Sequence, residues 1–311
     1  MRCREDEEFE EANLVLQKIS TSSSPLAPVY EGEEGFVYIS SHVDLPLIKS
    51  ELEIRSCPYA VAGVSGQKVG NGMKFWDEAS MTFAEMIQVE GFDDGRVNEN
   101  GRVLELGCGA TGVPGLALGC CGLATVVDFM DCDPMCLREL SSNIRRNLVK
   151  QHENREGDSE LLAEFNILPT CTYEDIVRKG GVFLDDGQHV VYDVIIGCEL
   201  VFDEVDIDLL AQCIMTLLME NNRFILCQSV KGRGKVFEFI VAMLTSRRTE
   251  CSAHENDATT MTTTVLKCFQ KCDGSDGRRG QWVELKSIEK VRQMMELREI
   301  LLLSFEAPKN V

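Results

Sequence analysis

Val103-Leu104-Glu105-Leu106-Gly107-Cys108-Gly109-Ala110-Thr111-Gly112 decides the fold. Its first four residues read as a buried strand carrying one carboxylate, Glu105, and the glycines that follow turn the chain into a helix opening near Thr111. Gly107 and Gly109 lack the Cβ that would keep the backbone away from a ligand, and the first N–H groups of a helix have no partner within it. Strand, glycine turn and helix N-terminus in that order make a nucleotide-handling loop.

The glycine spacing also satisfies G-x-G-x-x-G, the dinucleotide fingerprint, in which the turn and the helix end hold a pyrophosphate. Glu105, two residues before the first glycine, argues the other way. A carboxylate there disfavours a pyrophosphate and favours a cation such as the sulfonium and amino groups of S-adenosylmethionine. A packing turn in some other α/β protein is the bland alternative.

The chain has 311 residues, 44% of them apolar, enough for one large core or two modest ones. No run approaches the roughly 18 apolar residues of a membrane span. The opening Met1-Arg2-Cys3-Arg4-Glu5 has no apolar stretch behind its basic residues, so no secretory signal is expected. Fourteen cysteines then predict a reducing compartment, the cytoplasm and also the nucleus. A net charge of −20 disfavours direct nucleic-acid binding, with Arg145, Arg146 and Lys150 as a small basic exception. It suits a basic protein partner, or serves solubility alone.

Residues 1–35, with six acidic side chains between Glu5 and Glu11, are expected to be disordered. Residues 36–75 hold short apolar segments, Phe36 to Ile39 and Leu45 to Ile54, that read as strands of an N-terminal extension packed on the core. From residue 76 to 311 the pattern is one α/β domain. Asp77 opens a helix to Val89, and strands at 102–106, 124–131, 165–168, 190–198 and 223–229 then alternate with helices capped by Asp133 and Asp206. Such alternation predicts a parallel sheet covered on both faces. An irregular insertion is expected at 249–281, then two β-like segments, Trp282 to Ile288 and Arg298 to Phe305, as an antiparallel pair at the sheet edge.

Ligands of open α/β sheets bind at the carboxyl ends of the strands, where strand order reverses. The first end carries Glu105 and the glycine loop. The second carries Asp131, placed to accept both ribose hydroxyls, with Asp128 inside the strand and Asp133 as helix cap competing for that role. At the third, Tyr173 in Cys171-Thr172-Tyr173-Glu174 could offer an aromatic edge to an adenine, or belong to an ordinary loop. Glu199 directly follows a buried apolar strand, where a carboxylate is expensive without a partner, which marks it as functional. Cys251, His254, Cys268 and Cys272 have zinc-like spacing, but Cys268 lies in the apolar run 265–269 and reads as a plain strand residue; no metal is expected.

Gly72-Met73-Lys74-Phe75-Trp76-Asp77, the 103–109 stretch, Val127-Asp128-Phe129-Met130-Asp131 with Leu137 and Asn143 following, and Tyr192-Asp193-Val194-Ile195-Ile196-Gly197-Cys198-Glu199-Leu200-Val201-Phe202 together resemble the Rossmann-like seven-strand SAM-dependent protein methyltransferases. They are most similar to the protein-histidine methyltransferases. The resemblance covers about residues 70–305. It implies that Trp76 packs against S-adenosylmethionine, that Glu105, Gly107 and Gly109 hold its methionine end, and that Asp131 holds the ribose. Tyr173 and Cys198 complete the cofactor set, and Glu199 faces the acceptor. Three departures stand out: a glycine loop one residue longer than the family's, Phe202 in place of the family tyrosine, and a glycine-rich segment reduced to Lys231-Gly232-Arg233-Gly234.

The implied substrate is a basic protein, with ribosomal or translation-related proteins as one candidate class, methylated on a side-chain nitrogen. Histidine is the favoured acceptor. At a pKa of about 6.5 its ring is mostly neutral, and the Glu199 carboxylate could accept the other ring N–H. Protein lysine is the alternative, as is a catalytically decayed SAM-binding interaction module. Nucleobase methylation is disfavoured, because Gly197-Cys198-Glu199-Leu200 replaces the Asn-Pro-Pro-type motif of such enzymes.

Overall fold

The buried strand at 103–106 sits mid-sheet because both of its faces are covered: Val103 packs into one hydrophobic cluster, Leu104 and Leu106 into another. The computed structural model describes residues 30–31, 36–45, 50–60, 71–90, 101–154, 163–184, 187–218, 222–230, 235–245, 265–270, 281–285, 287–297 and 299–306. A small antiparallel sheet comes first: β1 (Tyr30–Glu31), β2 (Phe36–Leu45) and β3 (Ser50–Ala60). Helix α1 (Asp77–Glu90) leads to β4 (Arg102–Leu106), α2 (Val113–Cys120), β5 (Val126–Met130), α3 (Pro134–Asn154) and β6 (Glu164–Ile167). Next come α4 (Tyr173–Lys179), the short pair β7 (Val182–Phe183) and β8 (His189–Val190), β9 (Val194–Cys198), α5 (Ile207–Leu217), β10 (Arg223–Ser229) and α6 (Lys235–Thr245). The chain finishes with β11 (Val265–Gln270), β12 (Gln281–Glu284), α7 (Ile288–Leu297) and β13 (Ile300–Glu306).

The main sheet runs β12-β11-β13-β10-β9-β4-β5-β6. Strands β10, β9, β4, β5 and β6 are parallel, and β13, β11 and β12 add antiparallel pairings. The helices follow the residues that favour them. Asp206 accepts the Leu209 N–H and caps α5, and Asp133 accepts the Met135 N–H ahead of α3. Among the described residues no helix is long and apolar enough to cross a membrane.

Four expectations about the strands need correction. Among the described residues the sheet has eight strands rather than seven. Residues 265–270, expected to be irregular, form β11, and the segment expected as a strand from 282 to 288 ends at Glu284, with α7 starting at Ile288. Nor is β13 an edge partner of β12. It fills the gap between β10 and β11, since alternate residues serve both faces: Leu301, Leu303 and Phe305 join one core cluster and Leu302 the other. Residues 1–29, most of 249–281 and Lys231-Gly232-Arg233-Gly234 lie outside the described residues.

Sheet order reverses between β4 and β9, because the chain winds from β4 out to β6 and returns on β4's other side. Hairpin strands β2 and β3 lie against this core, with Val43, Leu45, Leu52 and Ile54 buried in the same cluster as Phe83 of α1 and Leu116 of α2.

Candidate active site

A cleft of about 490 Å³ opens at the reversal point. Trp76, Glu105, Gly107, Gly109, Asp131, Tyr173, Cys198, Glu199 and Phe202, the nine residues singled out in the sequence, all line it. Five stretches deliver them: the turn before α1, the β4 end with its glycine loop, the β5 end, the start of α4 and the β9 end.

Glu105 is 2% exposed, and its Oε2 accepts the Gly115 N–H in the first turn of α2 at 2.7 Å. Gly115 has to be glycine for that approach, since a Cβ there would sit 2.6 Å from Glu105 Oε2 and from Phe129 Cε1. Burial, with the Asp131 charge adding to it, pushes the Glu105 carboxyl from 4.5 up to about 8. A cation beside it would restore the ionised form.

The amides of the glycine loop already have partners. Cys108 N–H donates to Met130 C=O at 3.1 Å, Gly109 N–H to Asp131 Oδ2 at 2.9 Å, Ala110 N–H to Gly72 C=O at 2.7 Å and Gly112 N–H to Cys108 C=O at 3.1 Å. With Gly115 on Glu105, five N–H groups that could cradle a phosphate face internal acceptors, two of them carboxylates. A pyrophosphate would have to displace carboxylates from these amides. A ligand bearing positive charge meets no such conflict. Gly109 holds φ 58°, and a Cβ on it would come within 2.6 Å of Gly72 C=O, so only glycine lets the loop close here.

Asp131 is fixed at both oxygens, Oδ1 also accepting the Asp133 N–H at 2.9 Å; burial raises its pKa. Each oxygen keeps a second lone pair that a hydroxyl could use. The two rival aspartates are engaged elsewhere. Asp128, fully buried, pairs with the Arg102 guanidinium at 2.7 Å and accepts Asn166 Nδ2 at 3.1 Å, and Asp133 is the α3 cap.

Beside the glycine loop, Tyr173 begins α4 behind a Thr172–Asp175 capping box, its hydroxyl 3.4 Å from where a Cβ on Gly107 would sit, and burial pushes its pKa up. The Lys74 Nζ lies 4.5 Å from the centre of the Trp76 ring, adding a cation at the rim that the motif reading passed over. Cys198 Sγ lies 3.7 Å from Ser80 Oγ.

Glu199 has φ 56°, a left-handed conformation uncommon for a residue with a side chain. Its carboxylate reaches across to β10: Oε1 accepts the Ser229 N–H at 2.7 Å and Oε2 accepts Gln228 Nε2 at 3.1 Å. Gln228, fully buried, also accepts the Val201 N–H at 2.9 Å. Sequence reasoning missed Gln228. The available signal was a glutamine directly after the apolar run Phe224-Ile225-Leu226-Cys227, where a buried amide must find partners. Of the zinc-like quartet only Cys268 is described, buried in β11; Cys251, His254 and Cys272 lie outside the described residues.

No protein-family model matches the chain, and no curated protein does. Among solved structures it resembles a predicted O-methyltransferase from Agrobacterium tumefaciens, at 12% identity over 74% of this chain and 81% of that one, with a TM-score of 0.41. It also resembles a TehB-like SAM-dependent methyltransferase from Corynebacterium glutamicum, at 14% identity over 73% and 87%, TM-score 0.38. A third is precorrin-6y C5,15-methyltransferase from Geobacter metallireducens, at 8% identity over 78% and 93%, TM-score 0.39. Likeness this distant carries no argument about chemistry, which has to come from the residues of the cleft.

Proposed function

We propose that the chain is a SAM-dependent methyltransferase acting on a side-chain nitrogen of a basic protein, histidine for preference. The observation that carries this reading is the pairing of the Gly109 and Gly115 amides with the carboxyl groups of Asp131 and Glu105, which occupies the donors that a dinucleotide's pyrophosphate would need free. Sheet order supports it too. The dinucleotide-binding order is 3-2-1-4-5-6, whereas here an antiparallel strand, β13, is wedged between the fifth and sixth main-sheet strands, β10 and β11, which departs from that order.

Bound in this cleft, S-adenosylmethionine would supply a methyl group on a cationic sulfur for in-line displacement. Glu105 and the glycine loop would hold the methionine end, Asp131 the ribose, and Trp76 and Tyr173 would pack against the cofactor. The protein's part is then alignment and exclusion of water, with the Glu199 segment and Phe202 forming the acceptor wall. Motif resemblance and the −20 charge favour a basic protein and its histidine.

Titration calorimetry with S-adenosylmethionine, S-adenosylhomocysteine and NAD tests the donor; heat with NAD alone would sink the proposal. Incubation with methyl-labelled donor and basic proteins, followed by mass spectrometry of the modified residue, tests the acceptor. Label on lysine would replace histidine, and donor binding without transfer would mark a binding module.

A further inference from the structure

We propose that the N-terminal hairpin is a working part of the donor site and that Asn143 on α3 positions the glycine loop through it; this rests on the donor reading above. Among the described residues none of β2 or β3 lines the cleft, so the coupling has to be indirect. Asn143 is fully buried. Its Oδ1 accepts the Arg55 N–H at 2.8 Å, and its amide donates to Arg55 C=O and to Ala110 C=O, each at 2.8 Å. One helical turn on, Asn147 treats Glu53 alike, accepting its N–H at 2.8 Å and donating to its C=O at 2.9 Å. The two asparagines stand in for a neighbouring strand along the edge of β3, completing backbone pairs that burial makes obligatory.

Asn143 differs from Asn147 in what else it holds. Its bond to Ala110 ties β3 to the loop whose next amide upstream, Gly109 N–H, fixes Asp131. Side chains make the same connection by a separate route: Ala110 is buried in one cluster with Tyr38 of β2 and Cys57 of β3, together with Met73 and Cys136. The loop is therefore clamped between the turn at Gly72 on one side and the hairpin and α3 on the other. Any shift of β3 moves the amide that orients Asp131.

Asn147→Ala is the matched control, because it removes a comparable bond to the hairpin and leaves Ala110 held. Hydrogen exchange of the free, full chain reads the coupling, and calorimetry with S-adenosylhomocysteine reads the donor site. Amides 108–112 should exchange at least about tenfold faster in Asn143→Ala than in Asn147→Ala, and donor affinity should fall about tenfold in the first variant alone, the worth of a hydrogen bond or two. If Asn143→Ala fails to fold, Asn143→Asp serves. It keeps the acceptor for the Arg55 N–H, and Arg146 Nη1, 2.9 Å from the present Oδ1, pairs with it, while both donated bonds are lost. Equal loop exchange in the Asn143 and Asn147 variants overturns the coupling whether or not a donor binds; a wild type that binds no donor overturns the functional reading beneath it.

Discussion

The Gln228 amide and the Glu199 carboxylate meet at 3.1 Å across the ends of β10 and β9, and the same glutamine takes the Val201 N–H at 2.9 Å. One buried side chain thus holds a residue at φ 56° and the segment that follows it, where Leu200 and Phe202 face the cleft. Replacing it by Gln228→Leu keeps the volume and leaves a carboxylate oxygen and a backbone N–H without that partner. Expected are a loss of about 3 kcal/mol in urea unfolding, a fall of more than about tenfold in methyl transfer, and less than about threefold change in donor affinity, read by calorimetry beside single-turnover assays.

On the proposed reading, Glu105 should set the pH dependence of donor binding. In the free protein its carboxyl titrates at about 8 rather than 4.5, so at pH 6 to 7 it holds its proton. A cation favours the ionised form, so binding in that range should release a proton and affinity should climb with pH until about 8. Calorimetry in two buffers of different ionisation enthalpy counts that proton; uptake instead of release would contradict the assignment.

Stability should run the opposite way. A carboxyl whose pKa is raised by folding stabilises the fold below its ordinary value and loses that contribution as pH rises towards its folded one. Wild type should therefore lose up to about 1.4 kcal/mol per pH unit relative to Glu105→Gln between about pH 5 and 8. The glutamine keeps an oxygen for the Gly115 N–H, so parallel stability curves would show that Glu105 is ionised throughout.

Gly115→Ala brings a methyl to 2.6 Å from both Glu105 Oε2 and Phe129 Cε1. Overpacking of this kind costs about 1–3 kcal/mol, measurable by chemical denaturation. The same methyl should push the carboxylate off its amide and weaken donor binding by about tenfold or more.

On the proposed reading, a basic protein acceptor would meet a chain of net charge −20. Its KM should rise several-fold between about 50 and 300 mM salt while kcat holds, because added salt screens encounter rather than the enclosed chemistry.

Much of the site was legible in the sequence because its residues are local to strand ends. Glu105, Gly107 and Gly109 fall within one turn, and Asp131 and Glu199 each follow a run of apolar β-formers, so a two-residue repeat and a carboxylate sufficed to find them. What they bind within the protein was not legible. The Gly109–Asp131 bond joins residues 22 apart, Gln228 reaches Glu199 across 29, and Asn143 reaches Arg55 across 88. The C-terminal strands misled for a related reason. Leu301 to Phe305 is apolar but for Ser304, which fits a strand with cover on both faces better than the edge position expected for it, and the short apolar run of β11 is set between polar flanks that make 249–281 as a whole read as irregular.

Placement of β13 has a bearing on biosynthesis. A ribosome that has delivered residues through 299 has made both walls of a slot, β10 and β11, and not the strand that fills it. Seven residue pairs on the β10 side, Arg223 with Glu306 through Ser229 with Ile300, form only afterwards. Until then the wall carrying Phe224 and Leu226 presents an unzipped, sticky margin to other nascent chains, so the molecule is committed to late closure and to whatever shields that margin in the interval.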